Sequence, residues 1–584
     1  MTAVANDRPV DLDRARTGWV RHAVPIGLVL VVIPLVVAAA WALAHAPATA
    51  IRDHALMELR VRDVGIHPVN LGLYSRDGWS HLGPLVFFTL VVPYRVFGSS
   101  TSGMAVGALI VNGVSVVGMA LIARRLGGTR AALTMLLLSS VVVRAMGANL
   151  VANPWVCFIT VLPFGLFCCV MWALISGRAW ALPLGVAVAS WLVQTHVGYV
   201  PLTAPMLVIA TIVIAIRDWC APDRELRSRS LRAAGVAIGV VAVAWALPIW
   251  DQLFGSGNLE TAARWLTRAD GGVHTVGEGV RVVVGQFAAV PDWVTGTRRV
   301  ATFDGATLLR TRLLWPVLLI PFAAAMVLGW RRGMRAAAAL GVVVGVGIVL
   351  GIVSVARTVG TMYEYRLLWT WVLGALACVV VLWVAWEYLV TRFPRVDGWV
   401  KAGVLVALAV LSVLEVVQVT TADRPDWDSP ATATAVDQLV TKLDRHGGQI
   451  VLRSSSVGGE WYLQGVVLAL EKRGFDVRVR GEGGGLYGKD LVVGRGPVQA
   501  RLLVLAGPEL ASLTAAQRDH ILGYGGSRSV AREVAFGRAR AGDARRLLAD
   551  FNAGRITRHQ YVTRLARLAI ESDPAVAVVN DDRR

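Results

Sequence analysis

The chain has 584 residues, of which 55% are hydrophobic and only 17% are charged, and its mean hydropathy is +0.58. Soluble domains carry about 25% charged residues, so this composition excludes an ordinary soluble protein and indicates a membrane protein. The net charge of +19 does not indicate nucleic-acid binding, because the basic residues cluster in short gaps between apolar blocks, such as Arg217 to Arg232 and Arg331 to Arg335. That placement is typical of cytoplasmic loops.

The N-terminal part predicts one membrane-spanning helix followed by a long outside loop. Residues 1–24 are polar and are predicted to be cytoplasmic, and helix 1 is predicted over 25–45. The first outside loop, 46–102, contains an apolar stretch at 83–97 that is too short for a crossing of about 20 residues. If this stretch crossed, Arg124 and Arg125 would fall outside, against the usual charge bias. We therefore predict a juxtamembrane helix there.

Ten more apolar blocks of spanning length follow, which gives about eleven transmembrane helices within residues 25–420. They are predicted at 103–123, 130–147, 155–176, 180–196, 200–216, 233–250, 312–330, 336–356, 367–390 and 400–420. The basic loop 217–232 is predicted to be cytoplasmic. A second long outside loop, 251–310, is predicted to lie on the same face as the first.

After residue 420 the composition becomes polar, and short strand and helix patterns alternate, which predicts a small α/β domain over 421–584. The predicted strands are Gln449 to Arg453, Phe475 to Val479 and Arg501 to Ala506, and the predicted helices are Ala433 to Arg445 and Trp461 to Lys472. The charged tail from about 541 is predicted to be loosely attached. The fold class is thus a polytopic all-α membrane domain with a C-terminal α/β domain that shares the outside face.

The first outside loop is the densest in polar residues, and its order of features resembles the GT-C superfamily of membrane glycosyltransferases. An acidic residue, Asp53, follows helix 1 closely, and the juxtamembrane helix opens near a His/Pro-rich turn and ends at Phe97-Gly98. The next crossing helix ends in Arg-Arg-Leu-Gly, Arg124 to Gly127. The stretch Tyr74 to Tyr94 is similar to actinobacterial members, and the whole resemblance covers about residues 20–420.

The resemblance implies an enzyme that transfers a sugar from a polyprenyl-phosphate lipid donor to a cell-envelope glycan, glycolipid or protein acceptor. It places this chemistry on the outer face of the plasma (inner) membrane, and the actinobacterial likeness suggests arabinofuranose or mannose as the sugar. It also implies that Asp53 is the general base. The physical logic agrees, because a positioned carboxylate can take the proton of a weakly nucleophilic hydroxyl. The alternative for Asp53 is a helix N-cap or a solvated charge.

Two more carboxylates of this loop, Glu58 and Asp63, are candidates for substrate or metal binding. The alternative is pairing with the neighbouring arginines Arg60 and Arg62. His54 and Glu58 have a spacing of four, which is compatible with metal binding on a helix. The short loop from Gly147 to Trp155 offers no carboxylate, so the metal ligands are unknown and a divalent cation (Mg, Mn or Ca) stays open.

The remaining candidates for binding the substrate, and above all its phosphate, are aromatic, imidazole or guanidinium side chains in outside segments. They are Tyr74, Arg76, His81, His196, Arg357 and Arg366. Arginine forks match phosphate oxygens, although an interfacial arginine also snorkels without any ligand. His196 is equally compatible with capping or packing. Trp265 and Trp293 are candidates for stacking on a sugar.

A transporter or a lipid-linked-glycan flippase is the alternative function. Transporters place ionisable residues near the membrane midplane. Here Arg144 is the conspicuous charge within an apolar block, and it lies near the end of its helix, while polar residues concentrate in outside loops. This distribution favours the enzyme. A non-enzymatic assembly protein that binds partners through its C-terminal domain is a third reading.

Overall fold

The computed structural model of the chain describes most of its residues. They are 22–75, 77–220, 223–267, 274–296, 315–360, 362–480, 486–488, 491–494, 496–557, 560–561, 564 and 574–581. Of the predicted site residues, Arg76 lies outside this set.

The membrane domain consists almost entirely of helices. Its α-helices are α1 (Ala23–Ala44), α2 (Arg52–Asp63), α3 (Leu85–Val96), α4 (Thr101–Met146), α5 (Ala148–Val151), α6 (Val161–Ile175), α7 (Ala181–Thr195), α8 (Val200–Cys220), α9 (Arg224–Phe254), α10 (Asn258–Thr267), α11 (Val276–Gly285), α12 (Asp292–Thr295), α13 (Leu319–Arg331), α14 (Arg335–Ala356), α15 (Trp369–Arg392) and α16 (Val396–Thr420). Short 3-10 helices cover Val197–Tyr199 and Glu364–Leu367.

Seven helical segments of the described chain are long and apolar enough to cross a membrane. They are Ala23–Ala44, Thr101–Met146, Val197–Cys220, Arg224–Phe254, Arg335–Ala356, Trp369–Arg392 and Val396–Thr420. Shorter apolar helices are α3, α6, α7 and α13. The protein is therefore a multi-pass membrane protein, and the count of about eleven crossings stays a prediction.

The helices predicted at 103–123 and 130–147 form one element of 46 residues, α4, with a break at Gly128. Gly128 has φ 74° and ψ −164°, a conformation that only glycine adopts at little cost. Both predicted helices are thus present as the two halves of α4. Segment 217–232 is helical over most of its length and is not a loop, because α8 continues to Cys220 and α9 already begins at Arg224. Its cytoplasmic location stays a prediction.

The apolar stretch of the first loop forms a helix, α3, of only 12 residues. At 1.5 Å per residue it is about 18 Å long, well short of the roughly 30 Å of a hydrocarbon core. It packs against both α2 and α4, and the Arg95 guanidinium donates to the carbonyl of Val64 just after α2. Its length agrees with the predicted juxtamembrane helix.

The C-terminal part contains a five-stranded sheet of order β2-β1-β3-β5-β4, in which β2, β1 and β3 are parallel and β5 is antiparallel to both of its neighbours. The strands are β1 (Gln449–Ser454), β2 (Val477–Val479), β3 (Val498–Ala506), β4 (Ile521–Gly525) and β5 (Val576–Asn580); the α-helices are α17 (Pro430–Val440), α18 (Val457–Lys472), α19 (Ala515–Asp519) and α20 (Val530–Asn552), with a 3-10 helix at Gly507–Ser512. All three predicted strands are present. The prediction that the tail is loosely attached is wrong for residues 574–581, because the buried strand β5 lies between β3 and β4.

The C-terminal domain docks on the first loop through α18, which packs against α2. The Glu58 carboxylate on α2 is fully buried and pairs with Lys472 Nζ at 2.6 Å. The same carboxylate accepts hydrogen bonds from Tyr94 Oη at 3.2 Å and from Thr101 Oγ1 at 2.5 Å. Gly465 permits the close approach, since an added Cβ there would lie 2.9 Å from a backbone oxygen of the first loop. The first loop and the C-terminal domain therefore lie on one side of the membrane domain.

We expect Lys472→Met to destabilise the protein more than the matched change Lys442→Met. Removing one partner of a buried ion pair costs several kcal/mol, and because the Lys472 side chain is 33% exposed we expect about 2 kcal/mol. Lys442 only donates to an exposed backbone carbonyl. The measurement is thermal unfolding in detergent followed by tryptophan fluorescence. Equal melting temperatures for the two variants would contradict the assigned role of the pair.

Candidate active site

Asp53 lies in the first turn of α2, where the helix dipole favours a negative charge. The helix is preceded by Ile51, which makes no side-chain cap, so Asp53 is not an N-cap residue. Its half-buried carboxylate accepts a hydrogen bond from Trp155 Nε1 at 3.0 Å. The neighbouring Arg52 has a positive φ of 58° and forms an ion pair with Asp426 at 2.9 Å. The start of α2 is therefore held in place by an ion pair with a residue that follows the last membrane-spanning helix.

Behind Asp53, a buried polar contact holds Trp155 in place. His54 Nε2 lies 2.7 Å from Asn153 Oδ1, and the same oxygen accepts from the backbone N–H of Trp155 at 2.9 Å. The bond from Trp155 identifies this Asn153 atom as the amide oxygen, which can only accept. His54 must therefore donate to it, so Nε2 of His54 carries the proton. The His54 ring stacks on Trp427 with centroids 4.8 Å apart. Burial, with a smaller contribution from the charge of Arg52, lowers the pKa of His54 to about 3, so the imidazole is neutral.

The 3-10 helix Glu364–Leu367, which carries Tyr365 and Arg366, adjoins Trp155. The Tyr365 ring packs on Trp155 with centroids 4.9 Å apart. Burial raises the pKa of Tyr365. The nearby charge of Arg366 lowers this pKa, and the charge of Asp53 raises it. A cation and a carboxylate therefore both lie near this aromatic pair.

Two imidazole rings adjoin Arg366. The rings of His81 and His196 lie 4.9 Å apart. Burial, helped by the charge of Arg366, lowers the pKa of His81 to about 3. His81 Nδ1 accepts from the backbone N–H of Val197 at 3.3 Å, so the neutral ring carries its proton on Nε2. His196 Nδ1 accepts from Gly198 N at 3.1 Å, so His196 caps the short 3-10 helix. Capping was one of the alternatives that the sequence left open for this residue.

A hairpin-like turn of the first loop positions His81. The backbone of His81 pairs with Gly72 and Leu73 through two hydrogen bonds of 2.9 Å. Asn258, at the start of α10, bonds both backbone groups of Ser80, accepting from its N–H at 2.7 Å and donating to its carbonyl at 2.9 Å. The segment predicted as the second outside loop, 251–310, thus contributes to the site through α10.

The structure brings four of the predicted site residues to this region: Asp53, His81, His196 and Arg366. The others lie elsewhere. Asp63 is 3.5 Å from Arg60 at the far end of α2, and Glu58 is held in the buried pair with Lys472. Arg357 is exposed at the C-terminal end of α14.

The predicted aromatic contacts are mostly structural. The backbone of Tyr74 forms an isolated antiparallel β-bridge with that of Ser80 in the turn of the first loop. Trp265 packs on the buried Trp79, with ring centroids 5.1 Å apart. Trp293 is buried, and its indole donates to the carbonyl of Gln286 at 2.9 Å.

The residues that orient Asp53, above all Trp155 and Asn153, were not predicted from the sequence. Their signal was the polar Asn-Pro-Trp run, 153–155, in a short loop between two apolar blocks. The part of the chain that the structure describes brings no three His, Cys, Asp or Glu side chains together as a metal site. The predicted pairing of His54 with Glu58 as ligands has no geometric support, since His54 Nε2 donates to Asn153 and Glu58 binds Lys472.

Comparison with known proteins shows the fold. No protein-family model and no curated protein matches the chain. It is similar to the crystal structure of ArnT from Cupriavidus metallidurans bound to undecaprenyl phosphate, with a TM-score of 0.51, 14% identity, and coverage of 84% of this chain and 93% of that one. The apo structure of the same ArnT gives 0.51 and 14%, with coverage of 87% and 96%. The chain thus has an ArnT-like fold over most of its length.

We expect the protein to lose stability as the pH falls from about 6.5 towards 3. His54 and His81 have folded-state pKa values of about 3, below the 6.5 of a free histidine, so between these values protons bind the unfolded chain preferentially. The loss is about 1.4 kcal/mol per pH unit for each histidine. Melting temperatures in detergent at pH 7.5, 6 and 5 measure it, and His54→Gln, which keeps a donor, should reduce the slope. An unchanged slope in this variant would show that His54 is not buried in the neutral form.

Proposed function

We propose that the protein is a membrane glycosyltransferase whose donor is a sugar linked to a polyprenyl phosphate. The observation that carries this proposal is that an oriented carboxylate, Asp53, and a cation, Arg366, both lie near the Trp155–Tyr365 ring pair. The fold supports it, because ArnT is a GT-C glycosyltransferase and one of its structures holds undecaprenyl phosphate.

The proposed reaction needs one base and one cation. Asp53 takes the proton of the acceptor hydroxyl while the oxygen forms a bond to the anomeric carbon of the sugar. The bond between that carbon and the phosphate oxygen breaks, and its electron pair leaves with the polyprenyl phosphate. The leaving group gains negative charge, and in this proposal the Arg366 guanidinium stabilises it. Protons and electrons balance without another reactant.

The surrounding groups suit this division of roles. Trp155 donates to one carboxylate oxygen of Asp53, and this hydrogen bond orients the carboxylate. His81 is neutral, so it adds no positive charge beside Arg366 and offers an Nε2–H donor to phosphate or sugar oxygens. The neighbouring apolar helices would place the prenyl chain of the donor in the membrane.

The finer assignments are part of the same proposal. We infer a plasma (inner) membrane location with the site and the C-terminal domain facing the periplasm or exterior, because the short basic gaps would then be cytoplasmic. The sugar, arabinofuranose or mannose, and the acceptor, a cell-envelope glycan, glycolipid or protein, rest on the sequence resemblance. A divalent cation (Mg, Mn or Ca) could share the phosphate charge with Arg366, and no step is assigned to it.

Asp53→Asn should lower sugar transfer by about 10²- to 10⁴-fold, the usual contribution of a general base. The measurement uses purified protein, a radiolabelled polyprenyl-phosphate sugar and an envelope acceptor extract. Asp63→Asn is the matched control on the same helix, and it should retain transfer. Equal transfer by wild type and Asp53→Asn would exclude Asp53 as the base.

Arg366→Gln should raise KM for the lipid donor and lower kcat/KM by roughly 10- to 100-fold, because a charge-assisted hydrogen bond contributes about 1.5 to 3 kcal/mol. Arg357→Gln is the control, since Arg357 is exposed at the end of a helix. The same assay, run over a range of donor concentrations, measures both variants. Equal KM values for the donor in the two variants would contradict the phosphate role of Arg366.

A further inference from the structure

A groove of about 700 Å³ lies at the other end of the membrane domain from the candidate active site. It is bordered by the turn between α13 and α14 (residues 332–337), by the C-terminal part of α15 (383–391) and by the break in α4 (126–127). We call this space the basic groove. Arg366 precedes the N-terminal end of α15, whereas the basic groove lies about 27 Å further along this spanning helix, at 1.5 Å per residue. The two sites therefore belong to opposite faces of the membrane.

The carboxylate that lines the basic groove is already neutralised by the protein. Glu387 accepts a hydrogen bond from Arg130 Nη1 at 2.5 Å. Arg130 Nε donates to Asp397 at 2.8 Å, and Asp397 pairs with Lys401 at 2.5 Å. Two cations and two carboxylates therefore balance in this cluster, and the net charge of the basic groove comes from the turn between α13 and α14.

Two arginines of that turn make the basic groove positive. Arg332 and Arg335 both line it and are exposed, and neither forms an ion pair with another residue that the structure describes. The Arg332 guanidinium lies 4.6 Å from the centroid of the Tyr388 ring, and its Nη1 donates to Thr391 Oγ1 at 3.2 Å. Within the described chain this is the one protein hydrogen bond of a side chain that has five N–H donors. The basic groove therefore presents an oriented guanidinium to an anion.

The start of α14 adds to this positive potential. The helix has 22 residues and begins at Arg335, and no side-chain hydrogen bond caps it. The N–H groups in the first turn of a helix favour a nearby anion, and residues 335–337 of this turn line the basic groove. An anion held here would also offset the repulsion between Arg332 and Arg335, which are three positions apart.

The apolar part of the basic groove favours a lipid over a soluble anion. Leu126, Met334 and Trp383 are among its lining residues. Next to lining residues in the chain, Trp330 on α13 is 78% exposed and Leu389 on α15 is 42% exposed. Tryptophan is enriched where lipid headgroups meet the hydrocarbon of a membrane. A soluble phosphate would leave these apolar side chains uncovered, whereas the acyl chains of a phospholipid would cover them.

We propose that the basic groove binds an anionic phospholipid of the surrounding membrane. Arg332, Arg335 and the first turn of α14 hold its phosphate, and its acyl chains lie along α13 and α15. Basic pockets between membrane helices recognise anionic headgroups by this charge complementarity. Such a lipid would link the turn between α13 and α14 to α15 and to the break in α4. The proposal concerns binding alone and does not depend on sugar transfer.

The test measures binding of phosphatidylglycerol to the delipidated full-length protein by native mass spectrometry in a non-ionic detergent. The wild type should bind this lipid at least about tenfold more tightly than zwitterionic phosphatidylcholine, because the site selects negative charge. The double variant Arg332→Gln/Arg335→Gln should weaken binding roughly ten- to thirtyfold, as expected for the loss of two basic contacts. Arg335→Lys keeps the charge and should bind within about threefold of the wild type.

The matched control is Arg224→Gln/Arg232→Gln, which removes the same net charge from another basic segment. Both arginines are exposed on α9 and do not line the basic groove, so this variant should bind phosphatidylglycerol like the wild type. Arg366→Gln should also bind it like the wild type, because Arg366 lies at the other end of α15.

Four outcomes would overturn the proposal. Equal affinity for phosphatidylglycerol and phosphatidylcholine would show that the site does not select charge. Equal weakening in the two double variants would assign binding to the overall charge of the protein. Displacement of the lipid by an equal concentration of glycerol 3-phosphate would show a site for soluble phosphate. Loss of binding in Arg366→Gln would place the lipid at the candidate active site. A failed transfer assay would change none of these readings.

Discussion

The carboxylate of Glu58 is fully buried, and a buried charge is tolerated only where protein groups replace its lost water. Those groups come from three separate parts of the chain: Tyr94 on α3, Thr101 at the start of α4 and Lys472 on α18 of the C-terminal domain. Satisfying this one charge therefore fixes the short first-loop helix, a spanning helix and the C-terminal domain around α2. The position of Asp53 on α2 depends on that arrangement.

The same helix carries the structural carboxylate of Glu58 and the carboxylate proposed as the base, Asp53. Asp53 and Glu58 are five residues apart, which is about 140° around a helix, so they face different surroundings. Glu58 pairs with Lys472 of the docked domain, whereas Asp53 accepts from Trp155, whose ring packs on Tyr365. Between them, His54 is held neutral by burial and locks Trp155 through Asn153. The proposed transfer from a lipid phosphate needs an oriented base and a nearby cation.

The C-terminal domain contributes to the site although none of the residues proposed for the reaction belongs to it. Trp427 stacks on His54, and Asp426 pairs with Arg52 at the start of α2. Both residues lie between α16 and α17, where the chain leaves the membrane domain. Rigid support of this kind positions a side chain to within fractions of an ångström, so changes in the C-terminal domain should alter the position of Asp53 through α2.

The sequence by itself determined the features that are local in the chain: the apolar spans, the short helix near 83–97, the first strands of the C-terminal sheet and a carboxylate just after the first helix. Length and hydrophobic period set these features within windows of a few turns. Only the tertiary structure decided which carboxylate faces the site and which residues orient it. Asp53 and Trp155 are 102 positions apart, and Glu58 and Lys472 are 414 apart. β5 likewise enters the middle of the sheet from the far end of the chain. Such pairings arise from packing and from the need to satisfy buried polar groups, and a single sequence carries no local signal for them.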